Sequence, residues 1–264
     1  MTIELLDSIT DASDATVGKI VVSGSHGGLY PAAVASLAGA RAVVFNDAGI
    51  GLDQAGVAGV LALADVGMAA VGVDCNSCHI GSARDSCERG MISVANTGAA
   101  ALGIRPGMPV KAAVALLAKA PKPRATLNPH AESRQTVHIG GHGTAIELLD
   151  SASLVGPPDA GKIVITGSHG ALIGGDPARA IKAAVRIAVF NDAGFGADDI
   201  GITRLPALDL QGIAAVTVDC DTARIGDATS ALESGVISAM NQAAQKADAA
   251  TGMLLSDWLI SLKP

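Results

Sequence analysis

Ser25-His26-Gly27-Gly28 and Ser168-His169-Gly170 set a hydroxyl and an imidazole before glycine at two points of the chain, 143 residues apart. An imidazole titrates near neutral pH and serves as acid or base. Glycine-rich backbone beside it offers N–H groups to a carboxylate, a phosphate or an oxyanion. Two more polar pairs recur: Asn46-Asp47 with Asn191-Asp192, and Asp74-Cys75 with Asp219-Cys220. Asp47 and Asp192 are candidates to orient His26 and His169 or to act as bases themselves. Asn-Asp-Ala-Gly equally suits a turn that caps the next helix. Cys75 and Cys220 are candidate nucleophiles or acid/bases if their pKa is lowered, and small buried apolar residues otherwise. His79 of the first copy is replaced by Arg224 in the second, two cations each able to hold an anionic group.

Several familiar chemistries do not fit. The glycine spacing is neither a Walker loop nor the dinucleotide fingerprint, and no G-x-S-x-G elbow surrounds either serine. Cys75-Asn-Ser-Cys78-His79 has the form of a c-type haem attachment site, but the second copy reads Cys220-Asp-Thr-Ala223-Arg224. A zinc site from Cys75, Cys78, His79 and Cys87 meets the same objection, since only Cys75 has a counterpart. No cofactor or metal is expected. The formal charge of −7 and the absence of a Lys/Arg run argue against nucleic acid. The apolar stretch 56–73 resembles a membrane span, but its counterpart carries Arg204, Pro206, Asp209 and Gln211, which do not belong in hydrocarbon. The acidic start of the chain shows no signal peptide, so a cytoplasmic protein with reduced thiols is expected.

The elements that must position these groups are written twice. Ile3-Glu-Leu-Leu-Asp-Ser8 returns as Ile146-Glu-Leu-Leu-Asp-Ser151, and Phe45-Asn-Asp-Ala-Gly49 as Phe190-Asn-Asp-Ala-Gly194, with register held to Gly107-Met108 and Gly252-Met253. Residues 1–118 form a first α/β repeat, 119–144 a linker and 145–264 a second repeat. Short β-rich runs (19–23, 42–45, 69–73), bounded by glycine and separated by Ala-rich segments, predict buried parallel strands with interleaved helices. The expected fold is a tandem duplication of a parallel-sheet βαβ unit, doubly wound, with pseudo-two-fold symmetry between copies. A long helix is expected over about 83–102 and 227–247, with Ser93 and Asn96, and Ser238 and Asn241, sharing one face and satisfying buried backbone across the repeat interface. A further helix starts near Pro109. His130, His138 and His142 fall in the linker, placed to fold over a site. Every shared polar motif falls at a strand's carboxyl end, where α/β sheets bind ligands.

Ser25-His26-Gly27 and Asp74-Cys75-Asn76-Ser77-Cys78-His79 resemble the His-Gly and cysteine-bearing strand ends of caspase-like cysteine hydrolases, over a small part of the chain. Two pseudo-symmetric halves each offering a strand-end cysteine, Cys75 and Cys220, resemble the cofactor-independent aspartate/glutamate racemases. That resemblance implies two thiols acting on opposite faces of one carbon. The residues together predict a cofactor-independent enzyme on a small polar carboxylate- or amide-bearing substrate, first a C–N bond hydrolase. His26 and His169 would be acid/base, with loop amides of Ser25, Gly27, Gly28, Ser168 and Gly170, the side chains of Asn46 and Asn191, and His79 or Arg224 binding the substrate. The alternatives are a racemase or isomerase using Cys75 and Cys220, and a non-catalytic small-anion-binding protein. Small residues and few aromatics favour a homo-oligomer.

Overall fold

A computed structural model describes residues 2–140 and 144–262, with Thr144 described by its backbone only. His142 lies outside the described residues. The first copy is a sheet in the order β1 (Ile3–Leu6), β2 (Ile20–His26), β3 (Ala42–Asn46), β4 (Ala69–Val73), β5 (Ile92–Ala95). The first four strands are parallel and β5 runs antiparallel to β4. The runs of Ile, Val and Ala that form β2–β4 are buried on both faces, because helices cover both. Alternate residues face opposite ways. Val22, Val44 and Val71 pack with Ala83 of α3 (Ala83–Arg89) and with Val110 and Leu117 of α5 (Val110–Leu117). Val21, Val43 and Phe45 pack with Ala32 of α1 (Leu29–Leu37) and Val60 of α2 (Ala58–Ala62). The expected α/β duplication is therefore observed as two mixed, mostly parallel sheets of similar build. Strand order follows sequence order, so neither sheet has a point where the order reverses.

The second sheet repeats this plan as β7 (Thr144–Leu149), β8 (Ile163–His169), β9 (Ile187–Asn191), β10 (Ala214–Val218) and β11 (Ile237–Met240). It adds one strand at its edge, β6 (Arg134–Ile139), antiparallel to β7. The linker is thus only partly irregular. Its first half runs along the first copy, where Leu127 N–H donates to Ser36 Oγ at 2.9 Å, and its second half joins the other sheet. In β7, Glu147 receives Lys162 at 2.8 Å, Arg134 at 3.4 Å and Thr136 at 3.1 Å. Its counterpart Glu4 has Lys19 at 3.6 Å, while Glu4 Oε2 has no hydrogen-bond partner among the described residues.

The expected long helix is not formed. Residues 83–101 make α3, then β5, then α4 (Thr97–Ala101), and the second copy does the same with α7 (Ala228–Ser234), β11 and α8 (Gln242–Lys246). Gly90 leaves helical geometry with φ −62 and ψ 143, and the open edge of β4 then captures Ile92–Ala95. Ser93 therefore lies on a strand, and Asn96 caps the next helix. The copies also differ. Where the first has α1, the second has two short 3-10 turns, Ile173–Gly175 and Pro177–Arg179, since Gly174-Gly175-Asp-Pro177 cannot hold a helix. Among the described residues no helix is long and apolar enough to cross a membrane.

Candidate functional site

The Ser-His-Gly motif is shaped first by packing. Strand register shifts between Val22 and His26, and between Ile165 and His169, so each His ends its strand beside an Asn of the next. The shift occurs at Gly24, where a Cβ would meet Ser82 N at 2.5 Å and Asp7 O at 2.7 Å. Ser25 Oγ accepts from Ile9 N–H at 3.0 Å and Ser168 Oγ from Ala152 N–H at 2.9 Å, so both serines anchor the turn that follows the first strand of their copy. Gly27 and Gly170 allow close approach: a Cβ on Gly27 would meet Val60 at 2.6 Å, and one on Gly170 would meet Gly201 O.

His26 and His169 differ in their partners. Gly28 N–H donates to His26 Nδ1 at 3.2 Å, which makes that nitrogen the acceptor and puts the proton on Nε2. Burial pushes the His26 pKa down to about 4, so the ring is neutral at pH 7 and its Nε2–H is a hydrogen-bond donor. His169 is more deeply buried and is pushed well below the usual range by burial, by the Arg204 cation and by His26. Its Nδ1 has no hydrogen-bond partner among the described residues.

The aspartates do not orient these rings. Asp47 Oδ1 accepts from Gly49 N–H at 3.0 Å and Cys75 N–H at 2.9 Å, and Asp192 Oδ1 from Gly194 N–H at 2.9 Å and Cys220 N–H at 3.1 Å. A carboxylate at a strand end is drawn to the nearest free N–H groups, and these belong to the next loop. Burial pushes both carboxyls up. Burial, then the neighbouring carboxylates, push the Cys75 thiol up to about 12 and raise Cys220 likewise. Lowered-pKa thiols are therefore not what the structure holds, because the thiols are buried and have acidic groups beside them. Asn46 and Asn191 are turn-formers: their Oδ1 atoms accept from Ala48 and Ala193 N–H at 2.9 Å.

Carboxylates and thiols do gather in two places. Ligand atoms of Asp47, Asp74 and Cys75, and of Asp192, Asp219 and Cys220, lie within 4.8 Å of one another. These are the sets of described residues that could hold a cation. Cys78 stands apart, beside Ser86 Oγ at 3.5 Å and Asn46 Nδ2 at 3.6 Å. The set Cys75, Cys78, His79 and Cys87 is not assembled.

The loops after β3 and β9 join the copies. Ala48, Gly49, Ile50 and Gly51 all have positive φ, as do Ala193, Gly194, Phe195 and Gly196. This run of left-handed residues turns each loop against the other, where Leu52 N–H donates to Cys220 O and Ala197 N–H to Cys75 O, both at 2.8 Å. Ala48, Ile80, Ala171, Ala193 and Ile225 form a small apolar core there. His79 Nε2 meets Asp198 Oδ2 at 2.8 Å, and Arg224 Nη1 meets Asp53 Oδ2 at 2.9 Å. The side chains expected to hold an anion thus already meet carboxylates of the opposite copy. Asn96 and Asn241 tie backbone within their own copies and not across the interface. Asn96 accepts from Ala70 and Ala99 and donates to Val60 O and Met68 O.

Beside this seam two cavities of about 440 and 380 Å³ share His26, Tyr30, Glu132, Ser151 and Ser168, and so form one cleft between the copies. His130 lines the larger part, the one linker histidine of the described residues that does; His138 is exposed on β6. His169 and Arg204 line the smaller. No protein-family model, curated protein or solved structure matches this chain. The cleft must be read from its own chemistry.

Two of its residues escaped sequence reasoning. Glu132, from the linker, lies beside Ser151, Tyr30 and Ser153, whose hydroxyls favour its charged form; burial and the Asp150 charge outweigh them and push its carboxyl up. It has no counterpart in the first copy, so comparing repeats could not find it. Arg204 takes the position of Gly59 and is buried. The signal was present as a charge where the first copy has glycine, and in the fold that charge lines the smaller cavity. Cys75 and Cys220 line neither cavity.

Proposed function

We propose that the cleft between the copies binds a small carboxylate- or amide-bearing molecule and hydrolyses a C–N bond by acid–base chemistry. The observation that carries this is His26, a neutral imidazole whose Nδ1 is held by Gly28 N–H, leaving its Nε2–H to the cleft that Glu132 also lines. A donor of this kind polarises a carbonyl and stabilises the oxyanion that develops on it. Glu132, whose carboxyl is pushed up by burial and by the Asp150 charge and is therefore more basic than a free carboxylate, suits the base. It takes a proton from water as the water oxygen bonds to the carbonyl carbon. The tetrahedral intermediate then expels the amine, which receives that proton from Glu132 as the C–N bond breaks. His26 thereby acts as a hydrogen-bond donor, a narrower role than the acid/base that the sequence suggests.

The cationic end of the cleft also supports a second reading, in which the protein binds a small anion without turning it over. Amine release from a panel of small amides and N-acyl amino acids separates the two. Hydrolysis should fall about 100-fold or more in Glu132→Gln and in His26→Asn. Turnover that survives both changes would refute Glu132 as the base and His26 as the donor. Binding without turnover would leave the anion-binding protein.

A further inference from the structure

The second copy carries a cation that the first does not. At the position of Gly59 a side chain has no room, since a Cβ would strike Gly28 O and approach Ala32 Cβ to 2.5 Å under α1. Loss of α1 in the second copy opens that space, and Arg204 fills it on α6 (Arg204–Asp209). The backbone contact is kept: Gly59 N–H donates to Gly27 O at 2.9 Å and Arg204 N–H to Gly170 O at 2.8 Å. Arg204 is 3% exposed, its guanidinium lies 4.9 Å over the Phe190 ring, and no carboxylate among the described residues pairs with it. Nε donates to Ala171 O at 3.0 Å and Nη1 to Ala180 O, and Nη2 has no partner among the described residues. A guanidinium so buried without a counter-ion is costly, and an anion entering the cavity offsets that cost.

His169, 8% exposed, lines the same cavity with its Nδ1 unpartnered among the described residues. Arg179 and Lys182 also line it and add positive charge. We propose that Arg204 and His169 form a carboxylate-binding subsite that only the second copy possesses, holding the substrate's carboxylate while His26 addresses its carbonyl. This rests on the cleft being the substrate site. Arg204 Nη2, and His169 Nδ1 with the ring proton placed on it, would each donate to one oxygen of a planar carboxylate. A phosphate dianion needs more donors and, carrying twice the charge, is opposed more strongly than a carboxylate by Glu132 and Asp11, which line the same cavity. The duplicated halves would thus divide the work, with His26 in one and the anion anchor in the other.

The test follows the ring ¹⁵N signals of His169 in the whole protein during titration with acetate, malonate, phosphate and chloride at constant ionic strength. Acetate and malonate should give saturable shifts and the other two should not. Arg204→Met should weaken acetate binding about ten- to a hundredfold. Should that variant not fold, Arg204→Lys, which keeps the charge and loses the fork, should still weaken it measurably. His26→Asn should bind acetate as the parent does while losing turnover, which separates the subsite from the acid–base reading. No saturable shift in the parent, equal shifts with phosphate, or undiminished binding in the Arg204 variants would overturn the subsite. Arg204 would then only tie Ala171 and Ala180 together.

Discussion

Gly49→Ala tests whether the copies meet as closely as their loops imply. Gly49 has φ +74, and an alanine Cβ there would lie 3.0 Å from Cys220 Sγ and 3.1 Å from Gly194 Cα in the other copy. The left-handed backbone alone costs about 1–2 kcal/mol for alanine. The forced contact adds about 1–3 kcal/mol, as overpacking does in a filled core. The sum is about 2–5 kcal/mol, or a fall of about 4–20 °C in Tm for a chain of this size. Gly107→Ala is the control: its φ is +82, but nothing lies within 4 Å of the added carbon, so only the backbone cost of about 1–2 kcal/mol applies. Calorimetry on both variants reads the difference directly. Gly194→Ala should behave like Gly49→Ala, and the double variant should be non-additive, since a Cβ at Gly194 would lie 3.0 Å from Gly49 Cα. If Gly49→Ala costs no more than Gly107→Ala, the copies do not pack through these loops.

Cys75 and Cys220 should resist alkylation in the native protein at pH 8 and react only on unfolding, because burial and adjacent carboxylates hold the thiols protonated; mass spectrometry after timed labelling reads this, and rapid native labelling of either refutes it. The contribution of His26 and His169 to stability should be lost as pH falls from about 6.5 toward 4, against the opposite contribution of the raised Asp47, Asp192 and Glu132 carboxyls. His26 and His169 are depressed in the fold, so the unfolded chain binds protons first, and denaturant titrations of His26→Asn should show a shallower decline over that window. Asn96→Ala should destabilise by about 3–5 kcal/mol, since it strands two buried N–H and two buried C=O groups at once; a loss under about 1 kcal/mol in urea would show that those groups find other partners.

The duplication and the buried strands were legible, because hydrophobic runs and repeated polar motifs report them directly. The helix expected over 83–102 was not, because the four residues of β5 become a strand only through the free edge of β4, a tertiary effect. The alternation of Arg134-Gln-Thr-Val-His-Ile139 does carry a strand signal, with Val137 and Ile139 half-buried, though it sits inside a polar linker. Residues shared by both copies turned out to be chiefly architectural: Asn46, Asp47, Asn96 and Gly24 satisfy or admit backbone in each half. The cleft draws in part on residues that break the symmetry, Glu132 from the linker and Arg204 in place of Gly59.

The most direct measurement is the pH titration and tautomer of His26 by ¹⁵N NMR in the intact protein. The expected result is a neutral ring with its proton on Nε2 at pH 7, taking a second proton only near pH 4. A pKa near the ordinary value of about 6.5, or a proton on Nδ1, would contradict the donor role on which the proposed chemistry stands.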